Sequence, residues 1–125
     1  MITAFEYIDD LHLLRRREGG GKLFIVDQEY RVSFKINDLS RVYYVPAGME
    51  TDLASIPTIV PKWIAQKVDA HIEAAIVHDH MCIERPWTSR IAAEIFLAAM
   101  EKADVGWIKR NAMYQAVLRF GPKWT

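Results

Sequence analysis

The strongest constraint on the fold is a change in hydrophobic period near the middle of the chain. In "YRVSFKI", residues 30–36, every second side chain is apolar and the residues between are polar or charged. That period of two indicates a β-strand with one wet face. After about residue 61 the apolar residues recur three and four apart, which is the helical period. Strands followed by helices, rather than alternating with them, predict an α+β fold.

Turn residues divide the two halves into elements. We expect a small antiparallel sheet of four or five strands over about residues 2–46, and a motif-bearing loop over residues 47–61. About three helices follow within residues 62–120, packed with the sheet. Their expected limits are about Asp69 to Cys82, Thr88 or Ser89 to Lys102, and Val105 to Phe120, with Gly121-Pro122 as the stop. At 125 residues, the chain is expected to form a single domain, 1–125.

Composition excludes several classes of protein. Lys plus Arg equals Asp plus Glu at 16 each, so there is no strong nucleic-acid signal and no global attraction to an acidic membrane. No apolar run approaches the roughly 20 residues of a membrane span. The first residues, "MITAFEYIDD", carry acids where a secretory signal carries bases, so export by a signal peptide is not expected. A single cysteine, Cys82, excludes an internal disulfide and suits a reducing compartment. The basic run "RRRE" at residues 15–18 precedes three glycines and is read as a solvated hairpin tip.

Asp79 is the main chemical clue. At about 100° per residue, it falls among Ile72, Ala75, Ile76 and Ile83 on the apolar side of the first predicted helix. A buried carboxylate needs hydrogen-bond donors or a cation. It therefore either accepts structural hydrogen bonds or takes part in a site, by binding a metal or orienting a histidine.

Histidines and polar residues surround this position in the sequence. His78 is placed about 100° away from Asp79, beside His71, and His80 lies on the opposite flank. Arg90 and Glu94, four apart on the second helix, either face Asp79 or form a surface ion pair.

On the third helix, Asn111 falls in the stripe of Trp107, Tyr114 and Leu118, and is expected to face the core as a satisfied amide.

Three chemistries fit these residues to different degrees. A mononuclear zinc hydrolase needs about three His or Asp ligands and an open position for water, and His78, His71 or His80 with Asp52 or Asp79 offer such a set. His71 and His78 are two helical turns apart, which disfavours their sharing one ion.

The other two chemistries use a nucleophile. Ser55 with His78 and an acid is a second candidate, although "LASIP" lacks the elbow of "GxSxG". Cys82 lies four residues after His78, so contact between them is expected, with Cys82 interpreted as an inert buried thiol. Asp52 and Ser55 equally suit a helix-capping role after a strand.

Three segments together resemble a known family. "VPAGMETDLASIP" at 45–57, "VHDHM" at 77–81 and "SRIAAEIFLAAM" at 89–100 are similar to the small phage and prophage proteins called domain of unknown function 1353. The resemblance spans about residues 22–120. It implies a phage origin without an agreed activity, and it implies that the polar positions of the motifs converge. Those positions here are Thr51, Asp52, Ser55, Pro57, His78, Asp79, Arg90 and Glu94. Cys82 stands where the family tends to have Tyr, Met81 where it has Leu, and Glu94 where it has a shorter Asp.

The leading hypothesis is a metal-assisted hydrolase of phage type. Asp52, His78 and Asp79 are expected to form the site and to ligate a divalent metal, zinc or manganese, with Ser55 and Arg90 in support. The alternative is a non-catalytic phage protein, either a virion or assembly component or an inhibitor of a host defence enzyme.

In that alternative, Trp107, Tyr114 and a free Trp124 bind a phage or host protein or a second copy of the chain. In both cases the expected location is the host cytoplasm or the virion.

Overall fold

The fold is α+β, as the change of period predicts. The computed structural model describes residues 1–15, 24–51 and 71–125. Within these ranges six strands come first: β1 (Ile2–Tyr7), β2 (Leu13–Arg15), β3 (Phe24–Val26), β4 (Tyr30–Ile36), β5 (Leu39–Val45) and β6 (Glu50–Thr51). The helices that the structure describes after them are α1 (Ile72–Glu84), α2 (Ser89–Lys102) and α3 (Trp107–Phe120). The loop over 52–61, the start of the helical region and the "RRE" of the basic run lie outside the described residues.

The strands of the described ranges form two antiparallel sheets rather than the single sheet expected. One has the order β1-β4-β5 and the other the order β2-β3-β6. The prediction of one sheet of consecutive strands was wrong because β3 and β4, which are neighbours in sequence, belong to different sheets. Strand pairing depends on distant partners that a local alternation pattern does not identify.

Strand β4 is the centre of the first sheet. Its side chains Tyr30, Val32 and Phe34 are buried, while Arg31 and Ser33 between them are partly exposed, which confirms the predicted alternation. Phe34 stacks on Phe5 of β1 with ring centroids 6.0 Å apart. The apolar set therefore packs on one side of the sheet.

The hairpin between β4 and β5 turns at Asn37-Asp38, two residue types that are common in turns. Asn37 and Asp38 both have positive φ, 48° and 69°, and Ile36 pairs with Leu39 across them. A two-residue turn of this kind needs the left-handed region at both positions, which Asn and Asp tolerate better than most residues.

An ion pair ties the segment after β1 to β4. Arg31 Nε donates to Asp9 Oδ2 and Nη2 to Oδ1, each at 2.9 Å, and the Arg31 backbone N–H also donates to Oδ2 at 3.0 Å. These hydrogen bonds and the positive charge of Arg31 lower the pKa of Asp9.

Helix α1 is buried on nearly every side over two turns. All residues from Ala74 to Met81 are buried, whereas Ile83 is 58% exposed. The expectation that Ile83 belongs to the inward cluster was therefore wrong. A helix covered all round has no single apolar stripe, so its periodicity carries little information about direction.

Helices α2 and α3 each bury one side. Thr88 caps α2 as predicted, with its hydroxyl accepting a hydrogen bond from the N–H of Ile91 at 3.3 Å. The buried residues of α3 are Met113, Ala116 and Val117.

The predicted inward stripe of α3 was wrong. Trp107 is 69% exposed, and the Asn111 side chain donates to the Trp107 carbonyl at 2.8 Å instead of facing the core. The amide is satisfied by its own helix.

The C-terminal tail returns to the corner between α1 and α2. The indole N–H of Trp124 donates to the Trp87 carbonyl, and the Ser89 backbone N–H and hydroxyl donate to the Trp124 carbonyl at 3.3 and 3.1 Å. The Arg85 guanidinium lies 5.2 Å from the centre of the Trp124 ring. Trp124 is thus half-buried and held in place, which corrects the expectation of a free tryptophan.

The chain divides into two compact units, Met1–Asp52 and Leu53–Thr125. The strands belong to the first unit and the helices to the second. The prediction of one domain remains a prediction. None of the helices in the described ranges is both long and apolar enough to cross a membrane.

Candidate functional site

Three consecutive polar residues are buried in α1. His78, Asp79 and His80 are 2%, 8% and 8% exposed, respectively. The inward position predicted for Asp79 is confirmed. Successive side chains of a helix point about 100° apart, so burial of all three reflects the all-round covering of α1.

His78 is held by two side chains. Cys82, one turn later on α1, places Sγ 3.7 Å from Nδ1 and 3.9 Å from Nε2 of the imidazole. The ring of Phe96 on α2 lies with its centroid 5.0 Å from that of His78, and the two planes are inclined by 35°. The predicted contact of Cys82 with His78 is confirmed.

Among the residues that the structure describes, no oxygen or nitrogen atom is a hydrogen-bond partner of the His78 ring nitrogens. In the described ranges, the thiol of Cys82 is the polar group within reach of them, and a thiol is a weak donor and acceptor. Buried polar side chains usually have an oxygen or nitrogen partner, and lacking one typically costs about 1–3 kcal/mol. Within the described ranges, the buried imidazole therefore has a ring nitrogen that can bind a further group.

Burial controls ionisation around His78. Desolvation lowers the pKa of His78 from 6.5 to about 4, so its imidazole is neutral at physiological pH. Desolvation, reinforced by the negative charge of Asp79, raises the pKa of Cys82 to about 12 despite the opposing effect of Arg85. The thiol is thus protonated and a poor nucleophile, which supports its interpretation as inert.

Asp79 and His80 have interactions of their own. Asp79 interacts with other residues, and its negative charge contributes to the raised pKa of Cys82. His80 Nε2 lies 4.0 Å from Oε1 of Glu84, a largely exposed carboxylate one turn later. Burial lowers the pKa of His80, while the charges of Glu84 and Asp79 oppose that shift. The region near His80 is thus closer to solvent than that near His78.

The remaining predicted site residues are distributed differently. Asp52 and Ser55 lie outside the described residues, as does Pro57 of the same motif. On α2, Arg90 is exposed and Glu94 is half-buried. Arg90 is therefore not buried together with His78 and Asp79.

Metal binding requires more ligands than the described ranges bring together. No group of three or more His, Cys, Asp or Glu side chains within them is arranged to hold an ion. Of the predicted ligands, His78 and Asp79 are described and Asp52 is not.

Sequence reasoning missed the contribution of Phe96. Phe96 is the buried aromatic side chain of α2, and it was not among the residues singled out from the sequence. The signal was present in the spacing of Ala92, Phe96 and Ala99, which recur four and three residues apart.

The family comparison agrees with the motif resemblance. The family described as "Protein of unknown function (DUF1353)" matches residues 24–117. The chain belongs to this family. Its matched region includes β3 to β6, the buried polar residues of α1 and most of α3.

Two curated relatives come from Sinorhizobium fredii (strain NBRC 101917 / NGR234). Uncharacterized protein y4jT is 36% identical over 83 residues, which cover 65% of this chain and 24% of the relative. Uncharacterized protein y4iH is 30% identical over 76 residues, which cover 60% of this chain and 32% of the relative. The chain thus spans about a quarter to a third of the length of these relatives. No solved structure matches it.

Proposed function

We propose that the helical unit carries a metal-assisted hydrolytic site built on His78 and Asp79. The observation that supports it most is the buried imidazole of His78, whose nitrogens meet no oxygen or nitrogen partner in the described ranges. An imidazole in this state is suited to binding an ion in the interior.

The ionisation of His78 favours a ligand over a general base. A general base works best when its pKa lies near the working pH. Burial lowers the pKa of His78 to about 4, which leaves it a weak proton acceptor at neutral pH. The neutral imidazole is, however, the form that binds metal ions.

Carboxylates complete the proposed ligand set. Asp79 directly follows His78 in sequence and is also buried. Asp52 belongs to the "TDLASIP" motif, and the family resemblance implies that this motif and the His78-Asp79 pair converge. One nitrogen and two carboxylate ligands suit zinc or manganese, and such an ion supplies an activated water for hydrolysis. Ser55 and Arg90 are proposed to assist at the edge of this site.

A phage role is part of the proposal. The motif resemblance is to phage and prophage proteins, and it is the ground for proposing that the protein acts in an infected host or in the virion.

A specific observation favours a second, non-catalytic candidate. Trp107 and Ile108 at the start of α3 are 69% and 64% exposed. Exposed apolar pairs of this kind suit contact with another protein. In a virion component or an inhibitor of a host enzyme, the polar residues of α1 would serve the fold alone.

Metal analysis of the purified full chain tests the hydrolytic proposal. Protein produced with zinc and manganese in the medium is expected to retain close to one equivalent of metal. His78→Ala and Asp79→Asn are expected to lose the metal while keeping the helical circular dichroism of the parent protein. His80→Gln is the matched control, since His80 is also a buried histidine on the same helix but is not a proposed ligand.

The contrary outcome is a parent protein that contains no metal and an Asp79→Asn variant that only melts at a lower temperature. That outcome would support the non-catalytic candidate.

A further inference from the structure

The contact between Cys82 and His78 has an unusual geometry for a hydrogen bond. Sγ is nearly equidistant from the two ring nitrogens, at 3.7 Å from Nδ1 and 3.9 Å from Nε2. The lone pair of each imidazole nitrogen points outward in the ring plane. An atom on the axis of one nitrogen is therefore much farther from the other nitrogen. Sγ lies on neither axis.

The sulfur consequently lies over a face of the ring. If Sγ were in the ring plane at these distances from Nδ1 and Nε2, it would approach a ring carbon too closely. Sulfur packs favourably against aromatic rings, at distances of about 5 Å from the ring in typical cases. The i,i+4 spacing of His78 and Cys82 on α1 puts the two side chains on one side of the helix, where such a contact forms readily.

Phe96 provides a second contact of the same kind. Its ring plane is inclined by 35° to the imidazole with the centroids 5.0 Å apart, so the two rings pack in a tilted stack and not edge-on. Phe96 is 1% exposed on α2, which fixes its own position. Two different helices thus contact the imidazole without using its ring nitrogens.

We propose that Cys82 and Phe96 are positioning residues, which hold the His78 imidazole through its faces and leave both ring nitrogens for a bound metal ion and its hydrogen-bonding partner. This inference rests on the metal site proposed above. It assigns Cys82 a packing role rather than that of a ligand. Metal-binding histidines generally use one nitrogen for the ion and the other for an orienting hydrogen bond, so both edges of the ring need to be open.

Cobalt binding to the full chain distinguishes packing from ligation. Co²⁺ bound by a thiolate has a sulfur-to-metal charge-transfer band, and the parent protein is expected to bind Co²⁺ without it. Cys82→Ala is expected to weaken Co²⁺ binding by about tenfold to a hundredfold, the usual effect of removing a group that supports a ligand. Cys82→Val refills the space over the ring and is expected to recover most of that loss.

Phe96→Leu tests the second contact, with Ile95→Val as its control. Both residues are buried on α2, and Ile95 has no aromatic ring to stack on His78. Phe96→Leu is expected to weaken Co²⁺ binding to a similar extent as Cys82→Ala, and Ile95→Val to leave it unchanged. A charge-transfer band in the parent protein that both Cys82 variants abolish would overturn the inference. Unchanged affinity in Cys82→Ala and Phe96→Leu would also overturn it.

A metal-free measurement separates this inference from the metal site itself. Nuclear Overhauser contacts from the His78 ring protons to the Phe96 ring report ring orientation by NMR. A single orientation in the parent protein that becomes averaged in Cys82→Ala supports the positioning role, even if no variant binds cobalt and the hydrolytic proposal fails. Identical ring contacts in both proteins would overturn the positioning role and leave the metal proposal standing.

Discussion

Single residues in α1 have ionisation states that their burial determines. His78 is 2% exposed and contacts a thiol and a phenyl ring, neither of which stabilises a positive charge as a carboxylate would. Its pKa is therefore lowered to about 4 by desolvation. Asp79 beside it was identified from sequence because a carboxylate among apolar residues is conspicuous. The surroundings of His78 were not predictable in this way, because they include Phe96 on the neighbouring helix.

Acid is expected to destabilise the metal-free protein through His78. The imidazole titrates near 6.5 in the unfolded chain and near 4 in the folded protein, so the unfolded state alone takes up the proton between these values. The free energy of unfolding should be unaffected by His78 above pH 6.5 and should fall by about 3 kcal/mol as the pH decreases to 4. Urea unfolding across this pH range measures it.

A neutral replacement provides the control for the acid effect. In His78→Gln the decrease between pH 6.5 and 4 should be smaller, although the variant is less stable at pH 7. A decrease equal to that of the parent protein would assign the acid sensitivity to other groups, among them His80, whose pKa burial also lowers.

In the helical unit, residue types at the helix ends set the limits of the helices, and the C-terminal tail adds contacts between residues that are distant in sequence. Thr88 begins α2 and Gly121 ends α3, and both were predicted from residue type alone. The tail is different, since Trp124 reaches residues 35 or more positions earlier in the chain. Its contacts join the end of the chain to the corner between α1 and α2.

Removing the Trp124 side chain should destabilise this corner. Trp124→Ala loses the hydrogen bond to the Trp87 carbonyl and the contact with Arg85, together worth about 2 kcal/mol. Urea unfolding of Trp124→Ala is compared with that of Lys123→Ala, in which an exposed neighbour is removed. Equal stability of the two variants would show that the tail contributes nothing.

The number of cooperative folding units in the whole chain can be measured. The chain divides into the compact units Met1–Asp52 and Leu53–Thr125, while its length favours one domain. We retain the single domain as a proposal. The Asp9–Arg31 pair belongs to the first unit and the His78–Phe96 contact to the second, so each unit offers its own probe.

Amide hydrogen exchange can count the cooperative units. If the chain is one domain, the slowest amides of β4 and α1 should open with the same free energy. Asp9→Asn and Phe96→Leu should then each lower both values together. Two distinct opening free energies, each changed by only one of the variants, would mean that the units unfold independently.

Features that depend on neighbours along the chain could be predicted from the order of the amino acids. The alternation of β4 and the turn at Asn37-Asp38 follow from residues within a few positions of each other, as does the cap at Thr88. Backbone preferences and side-chain periodicity act over that range, and they place Asp79 inward as well. The family follows from motifs of the same local kind, which match over residues 24–117.

The number of buried sides of each element, and the residues that contact it, became evident from the three-dimensional packing. Periodicity predicted one buried side for α1, whereas the packing buries it all round and encloses three polar residues. It predicted the wrong side for α3, because Trp107 and Leu118 are as apolar as the residues that are buried. The division of the strands into two sheets likewise depends on pairing between distant segments. Burial is a property of contacts between distant parts of the chain, and local apolar character does not specify those contacts.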